Sequence, residues 1–307
     1  MKKALLSCLL AVIVVSSCKK EQKKPAEDPE KTYAVNFNLS GFTTDISPAP
    51  QRTNAVIGTN ALPSSVTRLF YRVYNSTNTL IRKIDQDSST TNFGKIADRL
   101  PTGTYKVYLC AGTNISISED GSPATALLET RWFQGYPTKW NDTFVKNLSL
   151  TVNDGDSNQN VTMERIVTKI AVKILDKVPD NANKLVIELD KDYNYYSLAT
   201  NAPVAATIPG IDYMLKTRTK EVLFTAADKG TLNYTTSMIN LYTGNDVKVT
   251  ISCYDINNKL IAQRVVNNVI LQKNTQTILS GNLFTADSTP FNITINMGWD
   301  SGYNIGF

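Results

Sequence analysis

Apolar and polar residues alternate with a period of two along most of this chain. Tyr33, Val35, Phe37 and Leu39 alternate with Ala34, Asn36, Asn38 and Ser40, which predicts a half-buried strand. Gly41 ends it. Residues 43–65 are rich in Thr, Ser, Pro, Asn and Ala and predict a long exposed loop. Strand patterns resume at 66–74 and 79–84, with Asn75 to Asn78 as the hairpin turn between them. Leu100-Pro101-Thr102-Gly103 reads as another turn. A strand over 104–111 follows, with Tyr105, Val107 and Leu109 on one face. A strand at 144–152 and a polar stretch at 153–160 close this half of the chain.

The second half repeats the style. Residues 165–175 read as one strand, apolar on both faces near its centre and therefore interior. Further strands are expected at 184–189, 221–225, 234–242, 247–254, 260–271, 275–284 and 291–299, with Lys273-Asn274 as a turn. No sustained helical stripe occurs, although 122–134 is compatible with a short helix. Short strands at regular spacing with Gly, Asn and Pro punctuation predict an all-β protein of two tandem β-sandwich domains, 33–160 and 161–307.

The first residues break this pattern. Met1-Lys2-Lys3 is basic, and 4–15 is almost unbroken apolar sequence. Small residues then precede a cysteine, in the order expected of a secretory signal peptide, here residues 1–17. The apolar run is shorter than the roughly 20 residues that a spanning helix needs. Val15-Ser16-Ser17-Cys18 resembles the lipobox of bacterial lipoproteins. That resemblance implies cleavage between Ser17 and Cys18, lipid on the Cys18 thiol and acylation of the new amine. Several acyl chains, at about 0.8 kcal/mol per buried CH₂, would anchor the protein durably where one would not. Residues 18–32 are dominated by Lys, Glu, Pro, Gln and Asp, a composition expected to form a flexible tether.

Composition narrows the chemistry. The formal net charge is +5, partly from lysines in the signal and tether, and no basic stripe of the kind that binds nucleic acid is present. Histidine is absent, which removes the usual general base and the commonest metal ligand. With no histidine, no Ser-His arrangement can form. No catalysis, cofactor or metal is expected. Beyond Cys8 and Cys18, only Cys110 and Cys253 remain. Both lie in apolar strand-like runs and read as buried thiols; a disulfide between them would have to join the two halves.

Three constellations carry competing interpretations. Asp154, Asp156 and Asn158 mimic the start of a calcium loop. Gln159 and Arg165 then stand where glycine and a carboxylate are required, so an inter-domain turn is expected. Trp132, Tyr136 and Trp140 cluster with Phe133 around Gly135 and Pro137. They form either a sugar-stacking platform or an aromatic loop packed over the sandwich end. Tyr193, Tyr195 and Tyr196 pose the same choice. Asp190 and Asp192 look like turn residues.

Several stretches resemble the fimbrillin superfamily, the type V pilus subunits and anchors. They are the hairpin at 69–84 with Leu100 to Tyr105, then Glu164 to Val172, then Leu271 to Thr277 with Gly281 to Phe284 and 291–299. The resemblance implies transthyretin-like sandwiches and a cell-surface lipoprotein anchored in the outer membrane through Cys18. It also implies assembly by strand donation with other fimbrial subunits or with itself, and adhesion to a host or bacterial surface ligand. In that mechanism a subunit loses its first strand to an arginine-specific protease. Residues 33–39 would be the removable strand and Arg52 the processing site, within Pro48-Ala49-Pro50-Gln51-Arg52-Thr53. Arg52 reads equally as a solvated surface arginine, as an anchor that keeps its first strand would have. A glycan-binding lipoprotein of an outer-membrane polysaccharide uptake system is the alternative.

Overall fold

The structure, a computed structural model, describes residues 31–43, 65–118, 121–130, 132–133, 136–137, 139–204, 207–208, 211–212, 216–285 and 290–297. The described chain is all-β, as the alternation predicts. Its first strands are β1 (Thr32–Thr43), β2 (Arg68–Tyr74), β3 (Leu80–Asp87), β4 (Lys95–Pro101), β5 (Gly103–Gly112), β6 (Ile115–Ser118), β7 (Leu127–Thr130), β8 (Trp132–Phe133), β9 (Tyr136–Pro137), β10 (Thr143–Val152) and β11 (Ser157–Arg165). Seven of them form one sheet in the order β3-β2-β5-β10-β11-β1-β4. Alternate residues of six of these strands, including Val35, Leu69, Ile96, Val107, Phe144 and Met163, point to one side and build a common core. The sheet curls until its two edges face each other. Gln86 of β3 donates from Nε2 to the Lys95 carbonyl at 2.8 Å and accepts from the Gly94 amide at 3.0 Å. Asn78, at φ 62°, takes the left-handed conformation of the expected β2–β3 turn, which asparagine tolerates better than most residues.

Two strands here differ from the expectation. β4 was not legible as a strand because Asp98, Arg99 and Pro101 interrupt its apolar positions, Ile96 and Leu100. β11 begins within the polar stretch expected to be a turn and runs on past residue 160, across the expected domain boundary. The anticipated helix at 122–134 is instead a single 3₁₀ turn, Pro123–Thr125, followed by β7.

The second half contains β12 (Thr168–Ile174), β13 (Lys184–Asp192), β14 (Tyr195–Ser197), β15 (Ala202–Val204), β16 (Thr207–Ile208), β17 (Ile211–Asp212), β18 (Lys216–Leu223), β19 (Tyr234–Asn240), β20 (Gly244–Tyr254), β21 (Leu260–Leu271), β22 (Thr275–Gly281) and β23 (Asn292–Met297). Two four-stranded sheets, β19-β12-β22-β23 and β18-β13-β20-β21, enclose a core with Ile170, Val172, Leu185, Ile187, Val249 and Leu279. This is a β-sandwich. Asp176 fastens one end by accepting from the amides of Leu283, Phe284 and Thr285. Burial alone would raise its carboxyl, but these bonds and the Thr285 hydroxyl hold it below the usual carboxylate value. The run 165–175 is not one strand: the ladder stops at Arg165 and restarts at Thr168.

The two halves share structure. β6 and β7 pair with β14 and β15 in a small sheet ordered β15-β14-β7-β6. A third core, with Phe70, Tyr108, Leu128, Trp140, Ile166, Tyr196 and Leu241, lies where they meet. Arg165 is fully buried beside it. It donates from Nε and Nη2 to Asp142 at 2.5 and 3.0 Å, and from Nη1 to Asn274 Oδ1 at 2.9 Å. Its guanidinium stacks over Phe144 at 5.1 Å.

One sandwich edge is closed by a lysine. Lys220 of β18 is 7% exposed, and its Nζ donates to the Ser237 carbonyl of β19 at 2.5 Å. Burial, with repulsion from Lys139 and Lys169, pushes its pKa down to about 8. The unfolded chain therefore binds more protons here between pH 8 and the ordinary lysine value of about 10.4. Stability is expected to rise as pH increases through that window. Urea unfolding at stepped pH should show the rise flattened in Lys220→Met; an unchanged slope would refute the assignment.

Candidate functional site: the first strand and its slot

β1 lies one strand in from the sheet edge. It runs parallel to β11 and antiparallel to β4. Its neighbour β11 is more than a hundred residues away in sequence, and no tight turn joins β1 to either flank. Inward, Tyr33, Val35, Phe37 and Leu39 are between 0 and 7% exposed. Phe37 packs against Tyr71 with ring centroids 5.4 Å apart. Tyr71 in turn donates to Asp98 Oδ2 of β4 at 3.2 Å. Burial and the adjacent Asp98 carboxylate push the Tyr71 phenol far above its ordinary value. The slot floor is lined by Ile96 and Leu100 of β4 and by Val161 and Met163 of β11.

The solvent side of β1 is held by polar groups. The Tyr33 hydroxyl donates to Asp154 Oδ1 at 2.7 Å, and the Ala34 amide donates to Asp156 Oδ1 at 2.8 Å. Asn36 Nδ2 donates to Asn158 Oδ1 at 2.9 Å, and Asn38 Nδ2 to Asn160 Oδ1 at 3.3 Å. From the β4 side, Arg99 donates to the hydroxyl and carbonyl of Thr32 at 3.1 and 2.6 Å. Asp154 and Asp156 do lie in a bend, and Asn158 follows it, but the bend joins β10 and β11 of one sheet and not two domains, and these side chains hold the first strand. Among the described residues, no group of three or more Cys, Asp or Glu side chains is placed to hold a metal ion, and no helix is long and apolar enough to cross a membrane.

The other sequence candidates fall in several places. Ser17, Cys18 and Arg52 lie outside the described residues, as do the signal, most of the tether and residues 44–64. Trp132 and Tyr136 sit on the β8–β9 hairpin, where Trp132 pairs with Pro137 and Phe133 with Tyr136; their side chains are outside the described set. Of the two readings of the aromatic cluster, Trp140 takes the packed one. It is 2% exposed, and its indole donates to the Tyr193 carbonyl at 2.7 Å, so its face is not open to a sugar. A buried indole N–H needs a partner, and this carbonyl supplies it. Tyr193 stacks on Tyr242 at 5.5 Å, and Tyr195 and Tyr196 are buried, so this trio packs.

Asp192 is no turn residue either. It is fully buried and accepts from the Tyr193, Leu241 and Tyr242 amides and from Arg218 Nε at 3.1 Å. Burial raises its carboxyl against the pull of Arg218 and these amides. Cys110 and Cys253 are buried, form no disulfide and belong to different cores; burial pushes the Cys253 thiol up to about 11. The Arg165–Asp142 pair and the polar grip on β1 were missed in the sequence. The only signal was the i, i+2 spacing of Asp154, Asp156, Asn158 and Asn160.

The model of a family of unknown function, DUF6562, matches residues 135–305, more than half of the chain. No curated protein matches the sequence. Among solved structures, a candidate adhesin from Bacteroides thetaiotaomicron superposes with a TM-score of 0.55 at 11% identity, covering 87% of this chain and 97% of its own. A candidate polysaccharide-binding protein (DUF1812) from the same organism gives 0.54 at 10% identity, covering 86% and 96%. The fimbrial anchor protein Mfa2 from Porphyromonas gingivalis gives 0.46 at 12% identity, covering 88% and 98%. At these identities the first two likenesses establish a shared fold.

Proposed function

The chain belongs to DUF6562, a family of unknown function, and on that premise we propose that it is a structural cell-surface lipoprotein. In this proposal it is a fimbrillin-like pilus subunit or anchor, lipid-anchored in the outer membrane through Cys18. It assembles by β-strand donation and contributes to adhesion without catalysis. One observation carries the proposal: β1 is an interior strand of the seven-stranded sheet, yet only residues 44–64 connect it to the rest of the fold. Removing it would leave a strand-wide slot, open ladder groups on β11 and β4 and an apolar floor. An extended segment from a neighbour can fill such a slot by β-augmentation. The fold likeness to candidate adhesins agrees with this role.

Arg52 is the sole arginine among residues 44–64. Treating the mature protein with an arginine-specific protease is expected to yield polymers whose subunits begin at Thr53, read by size-exclusion chromatography and N-terminal sequencing. Persisting uncut monomers would exclude stalk processing at Arg52 and leave a permanent, lipid-held anchor.

A glycan-binding lipoprotein of a polysaccharide uptake system is the second proposal. The fold shared with the candidate polysaccharide-binding protein favours it. Trp132 and Tyr136 on the β8–β9 hairpin would supply the stacking faces. The burial of Trp140 takes away the third.

A further inference from the structure

We propose that Asp154, Asp156, Asn158 and Asn160 act as a polar comb that reads the strand in the slot. The comb fits an extended segment with apolar residues inward and asparagine at two successive outward positions, and it rejects acidic residues there. This rests on the strand-donation proposal for the identity of any incoming segment, but the comb itself is geometry already described.

The argument starts from register. Apolar alternation alone fixes which face of a strand is buried. A slip of one residue turns every side chain over, whereas a slip of two restores the pattern. The slot floor therefore cannot tell registers two residues apart. The comb can. In the observed register, Asn36 lies opposite Asn158 and Asn38 opposite Asn160. Each pair is joined by an amide hydrogen bond. Sliding β1 by two residues in one direction would bring Asn36 to Asn160 and Asn38 to Thr162. Sliding it the other way would bring Asn36 to Asp156 and Asn38 to Asn158. Either slip leaves a backbone amide for Asp156 and an asparagine opposite one acceptor, but it takes the Tyr33 hydroxyl from Asp154, which now holds it at 2.7 Å, and it unmakes the paired Asn36–Asn158 and Asn38–Asn160 bonds.

The same groups set the chemistry of the strand. Asp154 and Asp156 only accept hydrogen bonds when ionised, so the strand must present donors at its start. The Asn158 and Asn160 carbonyl oxygens likewise face outward positions that donate. A carboxylate at those positions could still accept from a turned Asn158 or Asn160 amide, but it would add negative charge beside Asp154 and Asp156, and like charges across a strand pair are destabilising. The fitting partner is therefore a neutral or basic strand that alternates apolar residues with asparagine, as Val35-Asn36-Phe37-Asn38-Leu39 does.

The test uses the full chain cut after Arg52, so that β1 is held without a covalent link. A labelled synthetic peptide of the Thr32–Thr43 sequence is offered, alongside one carrying Asn36→Asp and Asn38→Asp. Retention on size exclusion is expected to be several-fold lower for the aspartate peptide, from two added negative charges beside Asp154 and Asp156. In parallel, a double-mutant cycle between Asn36→Ala and Asn158→Ala in the uncut chain reads the comb without any exchange. A coupling of about threefold in the unfolding equilibrium is expected. Equal and measurable retention of both peptides, or zero coupling, would overturn the comb. Coupling without exchange of either peptide would uphold the comb as the register device of β1 and remove strand donation.

Discussion

Asp142→Ala is expected to lower the stability of the folded chain by about 3–5 kcal/mol, the range for removing one partner of a buried ion pair. The loss comes from what is left behind. Arg165 is fully buried, and the Asp142 side chain, 5% exposed, supplies two of its hydrogen bonds. Without the carboxylate, a guanidinium stays buried with its charge uncompensated by Asp142, although Asn274 and the Phe144 ring are among the partners it keeps. Replacing both residues by apolar ones of similar size, Asp142→Leu with Arg165→Met, should cost much less, because no charge is stranded. The pair Lys146–Glu164 is a control: its side chains are 34% and 42% exposed, and Lys146→Ala should change stability by no more than about 1 kcal/mol. Urea denaturation of the four proteins separates these cases. An Asp142→Ala protein as stable as the control would show that Arg165 is not held as described. Because Arg165 ends β11 while Asn274 closes the turn into β22, the loss should also loosen the join between the halves.

Phe37→Ala is expected to cost about 3–5 kcal/mol, the usual price of an emptied aromatic site in a core. Phe37 is 1% exposed and tilts against Tyr71, so truncation removes both its apolar burial and a ring pair. Asn36→Ala, one residue away on the wet face, should cost under about 1 kcal/mol. Chemical denaturation of both variants reads the contrast, and near-equal losses would mean that β1 is not seated in the slot. The same contrast bears on strand donation. A weakened β1 would open more often, so protease-cut Phe37→Ala should release its first strand faster than the cut parent.

Much of the fold was legible, and the misses share a cause. The alternation at 33–39 located β1 and named its buried face correctly, and Asn75 to Asn78 and Lys273-Asn274 were turns as expected. β11 was misread at its start because its first four residues carry no buried side chain. They are in a strand only because β1 lies alongside. β4 was lost for a related reason, since Asp98 looks like a loop residue until Tyr71 is brought to it. The run at 165–175 looked continuous because a lone arginine in an apolar stretch gives no sign that it will turn inward to a carboxylate 23 residues earlier. Trp140 was grouped with Trp132 and Tyr136 by proximity along the chain, whereas its partner, the Tyr193 carbonyl, is 53 residues ahead.

By itself, then, the sequence determined the all-β class, most strand positions and which side of each strand faces a core. One-sided burial leaves a period-two mark that is local and survives without knowledge of neighbours. Only the tertiary structure decided that β1 sits between β11 and β4, that four polar residues grip it, and that buried Arg165 bridges Asp142 of the first half to Asn274 of the second. Those contacts span 23 to about 120 residues of chain. They depend on which groups the fold brings within hydrogen-bond reach, and no local pattern records that.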